Sequence, residues 1–348
     1  MFKPIKVLVV DDSAVVREVL STELNKQKGI EVVATAPDPY VARTKIVQHN
    51  PDVMTLDIEM PRMDGLTFLR KVMRHKPIPT IIISSLTPAG GDMALEALDA
   101  GALDVLCKPG ASYLVGDIIG ILSEQIRAVA HIKLEAIVKD HQVNPSVIKR
   151  PRSLRTTRKI LALGASTGGV QAVEHIIRQM PPDAPPILIA QHMPESFTKS
   201  FAKRLNQIAQ IEVREARHGD SVLPGTALLA PGNWHMRLKR SGAVYLVELD
   251  QEERVHFQRP AVDILFESLA TWGGANVVAA VLTGMGKDGA EGLFKIRQAG
   301  GRTIGQDEAT SIVYGMPGAA YKLGGVEIQL PLNKIAAHAL DLIKQSSP

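Results

Sequence analysis

Between residues 5 and 138, short apolar runs alternate with stretches whose apolar positions recur every three or four residues. The runs are IKVLVV, EVVATA, DVMTLD, TIIIS and ALDVLC, and the helical stretches include Ser13 to Gln27 and Leu66 to His75. Five β/α units at this spacing predict a parallel sheet covered on both faces. Four of the five runs are apolar almost throughout, as strands buried on two sides must be. From Lys159 the alternation resumes with ILALGA, PILIAQ, TALLAP, AVYLVEL and NVVAAVLTG, and helical patterns cover Val170 to Met180, Phe197 to Gln207, Asp263 to Thr271 and Gly289 to Ala299. No helical pattern separates the runs between 211 and 257, which predicts a meander or hairpins there. The expected fold class is α/β, with two doubly wound parallel-sheet domains, the second carrying a β-meander.

The text from Lys139, KDHQVNPSVIKRPRSLRTTRK, has no apolar period and holds Pro145 and Pro151, a linker signature. The helical pattern near Ile118 to Val138 has no clear stop, so that edge is loosely defined. The expected division is 1–125, a helix end and basic linker over 126–157, and 158–348. Of the 348 residues, 45% are hydrophobic, enough for filled cores, yet no apolar run approaches the ~20 residues of a membrane helix. The N-terminal MFKPIKVLVVDD is too short in its apolar run for a secretion signal, and the single cysteine, Cys107, excludes a disulfide framework. Together these predict a cytoplasmic protein that is not membrane-embedded. Lys149, Arg150, Arg152, Arg155, Arg158 and Lys159 form a basic cluster without interleaved aromatics, which favours a solvated linker over a nucleic-acid site.

Chemistry gathers at predicted strand ends. Asp11 and Asp12 close the first run, Asp57 the third, Ser84 the fourth, and Lys108 the fifth, before Pro109. In an open α/β sheet these ends share one edge, where ligands bind. Clustered carboxylates repel and call for a cation, and hard oxygen ligands suit magnesium. One carboxylate could then attack a phosphoryl group whose oxygens Lys108 and Ser84 hold. Helix capping by Asp12 or Ser13 explains one acid, not the grouping. VVDDS, LDIEMPRMDG, ISS and KPG at these intervals resemble a response-regulator receiver domain over about residues 4–125. The resemblance implies that Asp57 is the phospho-acceptor. It implies that Asp12, Asp57 and the Glu59 carbonyl bind Mg2+ with help from Asp11, and that Ser84 and Lys108 contact the phosphoryl group. Where such receivers usually carry Tyr or Phe, three residues before Lys108, this chain has Val105, which puts an aromatic switch in doubt.

A second constellation begins in KILALGASTGG. A dinucleotide fingerprint needs glycine where Ser166 stands, and no Walker loop follows. Gly164-x-Ser166-x-Gly168 instead fits a serine projecting from a tight strand-to-helix turn. A serine nucleophile needs a base, and the base an orienting acid. His192 follows the run PILIA and Asp288 follows VVAAVL, so all three fall at the same sheet edge. His175 and His338 lie inside helical stretches, and His218, His235 and His256 in the expected meander read as polar surface. The order Ser, His, Asp differs from that of α/β-hydrolases.

ALGASTGG, AQHMP, LPGTALLAPG, FQRPAVDILF and LTGMGKDGAEGL, spanning about 158–345, together resemble the catalytic domain of chemotaxis protein-glutamate methylesterases. The resemblance implies a Rossmann-like methylesterase domain with a Ser166, His192, Asp288 triad. Thr167 would flank the nucleophile, and the Met285 backbone amide would help hold the oxyanion. It further implies demethylation of glutamate methyl esters and deamidation of certain glutamines on methyl-accepting chemoreceptors. A chemotaxis histidine kinase would be the phosphodonor, phosphorylation would relieve inhibition by the receiver, and the hydrolase would need no cofactor. A response regulator with a nucleic-acid-binding or nucleotide-binding α/β output is the rival reading; it leaves the three strand-end residues unexplained.

Overall fold

The computed structural model describes residues 3–85, 87–108, 115–132 and 159–345. The chain divides into two compact units, Met1–Val143 and Asn144–Pro348. The basic cluster from Lys149 to Arg158 lies outside the described residues.

The first unit runs β1 (Ile5–Val10), α1 (Ala14–Asn25), β2 (Ile30–Ala36), α2 (Pro39–His49), β3 (Val53–Leu56), α3 (Gly65–His75), β4 (Thr80–Ser84), α4 (Pro88–Asp99), β5 (Asp104–Cys107) and α5 (Val115–Val129). Its strands pair in parallel in the order β2-β1-β3-β4-β5. Chain order reverses at β1, so a crevice opens beyond the carboxyl ends of β1 and β3. Ser13 caps α1, its Oγ accepting from Val16 N. That frees Asp11 and Asp12 from the capping role. Cys107 is buried, and burial pushes its thiol up to about 12, so it packs as a small core residue.

The second unit runs β6 (Ile160–Ala165), α6 (Gly169–Ile177), β7 (Ile187–Gln191), α7 (Glu195–Ile208), β8 (Glu212–Glu215), β9 (Thr226–Leu229), β10 (His235–Ser241), β11 (Val244–Asp250), α8 (Val262–Trp272), β12 (Val277–Val281), α9 (Ala290–Gln298), β13 (Arg302–Gln306), α10 (Met316–Lys322), β14 (Ile328–Leu330) and α11 (Leu332–Gln345). Seven strands form a parallel sheet in the order β14-β13-β12-β6-β7-β9-β8. Here the order reverses at β6, which places the crevice among β6, β7 and β12.

The expected meander at 211–257 divides in two. Only β10 and β11 pair as an antiparallel hairpin, whereas β8 and β9 pair in parallel at the sheet edge. A parallel connection needs cover, and here the hairpin supplies it in place of a helix. Val222 N donates to Tyr245 O at 3.0 Å and Val247 N to Asp220 O at 2.8 Å. The core under the hairpin joins Met236, Leu238 and Val247 to Leu265, Phe266 and Leu269 of α8. Among the described residues no helix is long and apolar enough to cross a membrane.

Candidate functional sites

In the first unit the five strand-end groups meet. Lys108 Nζ lies 2.7 Å from Asp57 Oδ2 and 3.1 Å from Asp11 Oδ2. Ser13 N donates to Asp11 Oδ1 at 2.8 Å, and Glu59 N donates to Asp57 Oδ1 at 3.1 Å. Carboxylate oxygens of Asp11, Asp12 and Asp57 lie within 4.8 Å of one another. Burial pushes the Asp57 carboxyl up to about 6 despite the Lys108 ammonium beside it, and burial also raises Asp11. Two buried acids held against one lysine form a donor set that a hard divalent cation satisfies. The buried Ser84 Oγ has no hydrogen-bond partner among the described residues, consistent with a hydroxyl available to an incoming oxygen. Glu59 turns its side chain away, accepting from Ser85 Oγ at 2.6 Å. Val105 is buried in β5, so this position contributes to the core.

In the second unit Ser166, His192 and Asp288 stand at adjoining strand ends. Register pairs Gly164 of β6 with Ala190 of β7 and with Val281 of β12. Beyond the strands, His192 N donates to Ala165 O and Ser166 N to Thr283 O, each at 3.1 Å. His192 Nε2 lies 2.7 Å from Asp288 Oδ2. Asp288 also accepts from Val262 N at 2.7 Å and Asp263 N at 2.8 Å. An ionised carboxylate only accepts, so Nε2 carries the ring proton toward Asp288 and Nδ1 keeps the lone pair a base needs. Burial alone would raise the Asp288 carboxyl. The His192 hydrogen bond, with the two amides, outweighs it and holds the group below the usual carboxylate range. Thr167 is buried beside Ser166, its carbonyl accepting from Thr283 Oγ1 at 2.9 Å. Met285 lies in the turn between β12 and α9 that contains Asp288.

Several positioning groups escaped the motif reading. The Gln191 side-chain amide donates to Ser166 O at 2.9 Å and His192 O at 3.1 Å, tying two site carbonyls together. Thr283 N donates to Gln306 Oε1 at 2.8 Å, which fixes the segment that holds Ser166 N. Clearance around Ser166 comes from Gly284, where an added Cβ would lie 2.7 Å from Ser166 Cβ. Gly164 serves packing: a Cβ there would meet Val262 Cγ1 at 2.2 Å, so α8 presses directly on β6. Gly164→Ala is therefore expected to cost about 1–3 kcal/mol by overpacking. It should also slow the enzyme, because displacing Val262 moves an amide that holds Asp288. An unchanged urea midpoint would refute the close-packing explanation.

One histidine differs from its expected surface placement. His235 is fully buried, its Nδ1 accepting from Ala261 N at 3.2 Å and its Nε2 donating to Glu253 O at 3.0 Å. The imidazole is occupied by backbone groups of the 251–261 loop, which sequence patterning does not reveal. His256 is exposed, as expected, and its Nε2 lies 3.2 Å from the buried Asp263 Oδ2. His175 and His338 lie within α6 and α11 as expected.

An acidic crevice with a paired lysine in one α/β unit and a serine–histidine–aspartate edge in the other define a response regulator whose output unit is built as a hydrolase. The CheB methylesterase family matches residues 161–339, and the response regulator receiver domain family matches residues 7–117. The chain belongs to the CheB methylesterase family, with a receiver domain ahead of the methylesterase domain. It is 54% identical over 340 residues to a protein-glutamate methylesterase/protein-glutamine glutaminase of Syntrophus aciditrophicus (strain SB), covering 97% of this chain and 99% of that protein. A namesake from Pseudomonas aeruginosa is 50% identical over 341 residues, with 97% and 96% covered. The crystal structure of the Thermotoga maritima CheB methylesterase catalytic domain matches with a TM-score of 0.52 and 39% identity, covering 53% of this chain and 98% of that one.

Proposed function

We propose that this chain is a phosphorylation-activated serine hydrolase that cleaves glutamate methyl esters, and deamidates certain glutamines, on methyl-accepting chemoreceptors. The observation that carries the reading is the 2.7 Å Asp288–His192 bond at the strand ends flanking Ser166. The names of the relatives supply the reaction, and the family supplies the hydrolase.

In this reading His192 Nδ1 takes the Ser166 hydroxyl proton as Oγ attacks the γ-carbonyl carbon. Backbone amides near Thr167 and Met285 meet the oxyanion. As the C–O bond to methoxide breaks, the imidazolium returns the proton and methanol leaves. Water, deprotonated by His192, then attacks the acyl carbon; the C–Oγ bond breaks, the imidazolium returns the proton to Ser166 Oγ, and glutamate is released. Asp288 holds the ring tautomer and stabilises its charged form. With glutamine the leaving group is ammonia and the acyl chemistry is the same.

Asp57 Oδ is assigned as the acceptor of a phosphoryl group from a chemotaxis histidine kinase. Lys108, now paired with Asp57 and Asp11, would turn to the phosphoryl oxygens, and Ser84 Oγ, which has no partner among the described residues, would donate to them. Asp11, Asp12, Asp57 and the Glu59 carbonyl would hold Mg2+, which would supply charge neutralisation for the incoming phosphoryl group. The division into a receiver at 1–125, a connecting segment at 126–157 and a methylesterase domain at 158–348 belongs to the same reading, as does a cytoplasmic site of action. Mass spectrometry after a fluorophosphonate probe tests the nucleophile: a single adduct on Ser166 is expected, and an adduct elsewhere, or none, would overturn the assignment.

A further inference from the structure

The loop between β11 and α8 carries an unusual backbone. His256 at φ +52° and Phe257 at φ +61° are consecutive non-glycine residues in the left-handed region. They sit at the centre of a turn closed by Val255 N to Gln258 O at 3.1 Å and Gln258 N to Val255 O at 2.8 Å. Each such residue is costly for a side chain with a Cβ and persists only where its surroundings fix it. The fixing groups are present. His235 is bonded to both Glu253 O and Ala261 N. The Arg259 guanidinium donates to Asn233 Oδ1 at 2.7 Å and to the carbonyls of Gln251 and Glu252 at 2.7 and 2.9 Å.

This strained turn aims the exposed His256 at a buried carboxylate. His256 Nε2 reaches Asp263 Oδ2 at 3.2 Å. Asp263 lies in the first turn of α8, buried, and its Oδ1 accepts from Gly292 N at 2.8 Å. Its own N–H donates to Asp288 Oδ1. Polar atoms of His256, Asp263 and Asp288 lie within 4.8 Å of one another. The result is two histidine–carboxylate pairs back to back, His192–Asp288 and His256–Asp263. All four carboxylate oxygens already have donors, from the amides of Val262, Asp263 and Gly292 and from the two imidazoles. The cluster is therefore complete as a hydrogen-bonded unit without a cation.

We propose that His256 and Asp263 are a positioning pair for the candidate triad: His256 anchors Asp263, and Asp263 orients Asp288 and adds negative charge that favours the His192 imidazolium. The inference rests on the reading of Ser166, His192 and Asp288 as the triad. Burial, with the Asp288 charge beside it, pushes the Asp263 carboxyl up to about 6, so its charge changes near the range in which a histidine base works. The groups facing it are His256 from the loop, Asp288 from the β12–α9 turn, and, from α9, Lys295, which is itself paired with Glu267 at 2.6 Å.

The test is the pH profile of kcat/KM for methanol release in the full chain, normalised to competent sites by fluorophosphonate labelling of Ser166. Asp263→Asn keeps an oxygen for Gly292 N but removes the charge. It should lower kcat about tenfold with KM little changed, and move the acidic limb to lower pH by at least about half a unit. His256→Ala should do the same more weakly, and His256→Gln, which restores a neutral donor, should recover part of the loss. His256 lies on a part-exposed loop, so its variants keep the test open should Asp263→Asn misfold. If Ser166 labels normally and the acidic limbs of the variants superimpose on that of the unsubstituted protein, the positioning role is wrong. If Ser166 of the unsubstituted protein does not label, the triad reading itself has failed.

Discussion

Ser166→Ala should leave a folded protein whose esterase kcat is lower by roughly 10⁴–10⁶. The size of the loss follows from chemistry: no other nucleophile is needed by the mechanism, and alanine offers no oxygen to form the acyl intermediate. The preserved fold follows from the contacts. Ser166 holds its place through backbone bonds, its N–H to Thr283 O and its carbonyl to the Gln191 side chain, and none of these needs Oγ. Circular dichroism and the urea midpoint should match the unsubstituted protein. Activity within tenfold of it would remove Ser166 from the mechanism.

His192→Gln and Asp288→Asn should each be severe, the second by about 10⁴-fold. Asp288 uses both oxygens as acceptors, from Val262 N, Asp263 N and His192 Nε2. An asparagine has one oxygen, so its amide must confront at least one N–H. Where it turns toward His192, the ring adopts the other tautomer, with Nδ1 protonated and useless as a base. Because the three residues act on one proton, their losses should not multiply. The double variant Ser166→Ala/His192→Gln should be about as slow as Ser166→Ala alone. A double loss equal to the product of the single losses would show that the two side chains work independently.

Strand ends were the legible part of this chain. Apolar runs such as IKVLVV and ILALGA mark doubly buried parallel strands, and whatever follows them must lie at the sheet edge. That logic places Asp11, Asp57, Ser84 and Lys108 together, and Ser166, His192 and Asp288 together. It fails for β8, whose EVRE is polar because it is an edge strand, and for the three-residue β14. It also misses groups whose partners arrive through the fold. Gln191 braces Ser166 from the neighbouring strand, Gly284 clears space across the crevice, and His235 is buried by a loop that wraps it. None of these has a periodicity to betray it. The His256–Asp263 pair is hidden for the same reason, since seven residues of sequence separate its partners and a left-handed turn aims one at the other.

Phosphorylation at Asp57 is expected to accelerate ester hydrolysis at Ser166 of the same chain. The most direct measurement is methanol release from methylated chemoreceptor membranes, with and without acetyl phosphate and Mg2+. The full chain should release methanol slowly alone and faster with the donor, Asp57→Asn should hold the slow rate under both conditions, and Ser166→Ala should release none above background. Equal acceleration of Asp57→Asn by the donor, or release by Ser166→Ala at the rate of the unsubstituted chain, would contradict it.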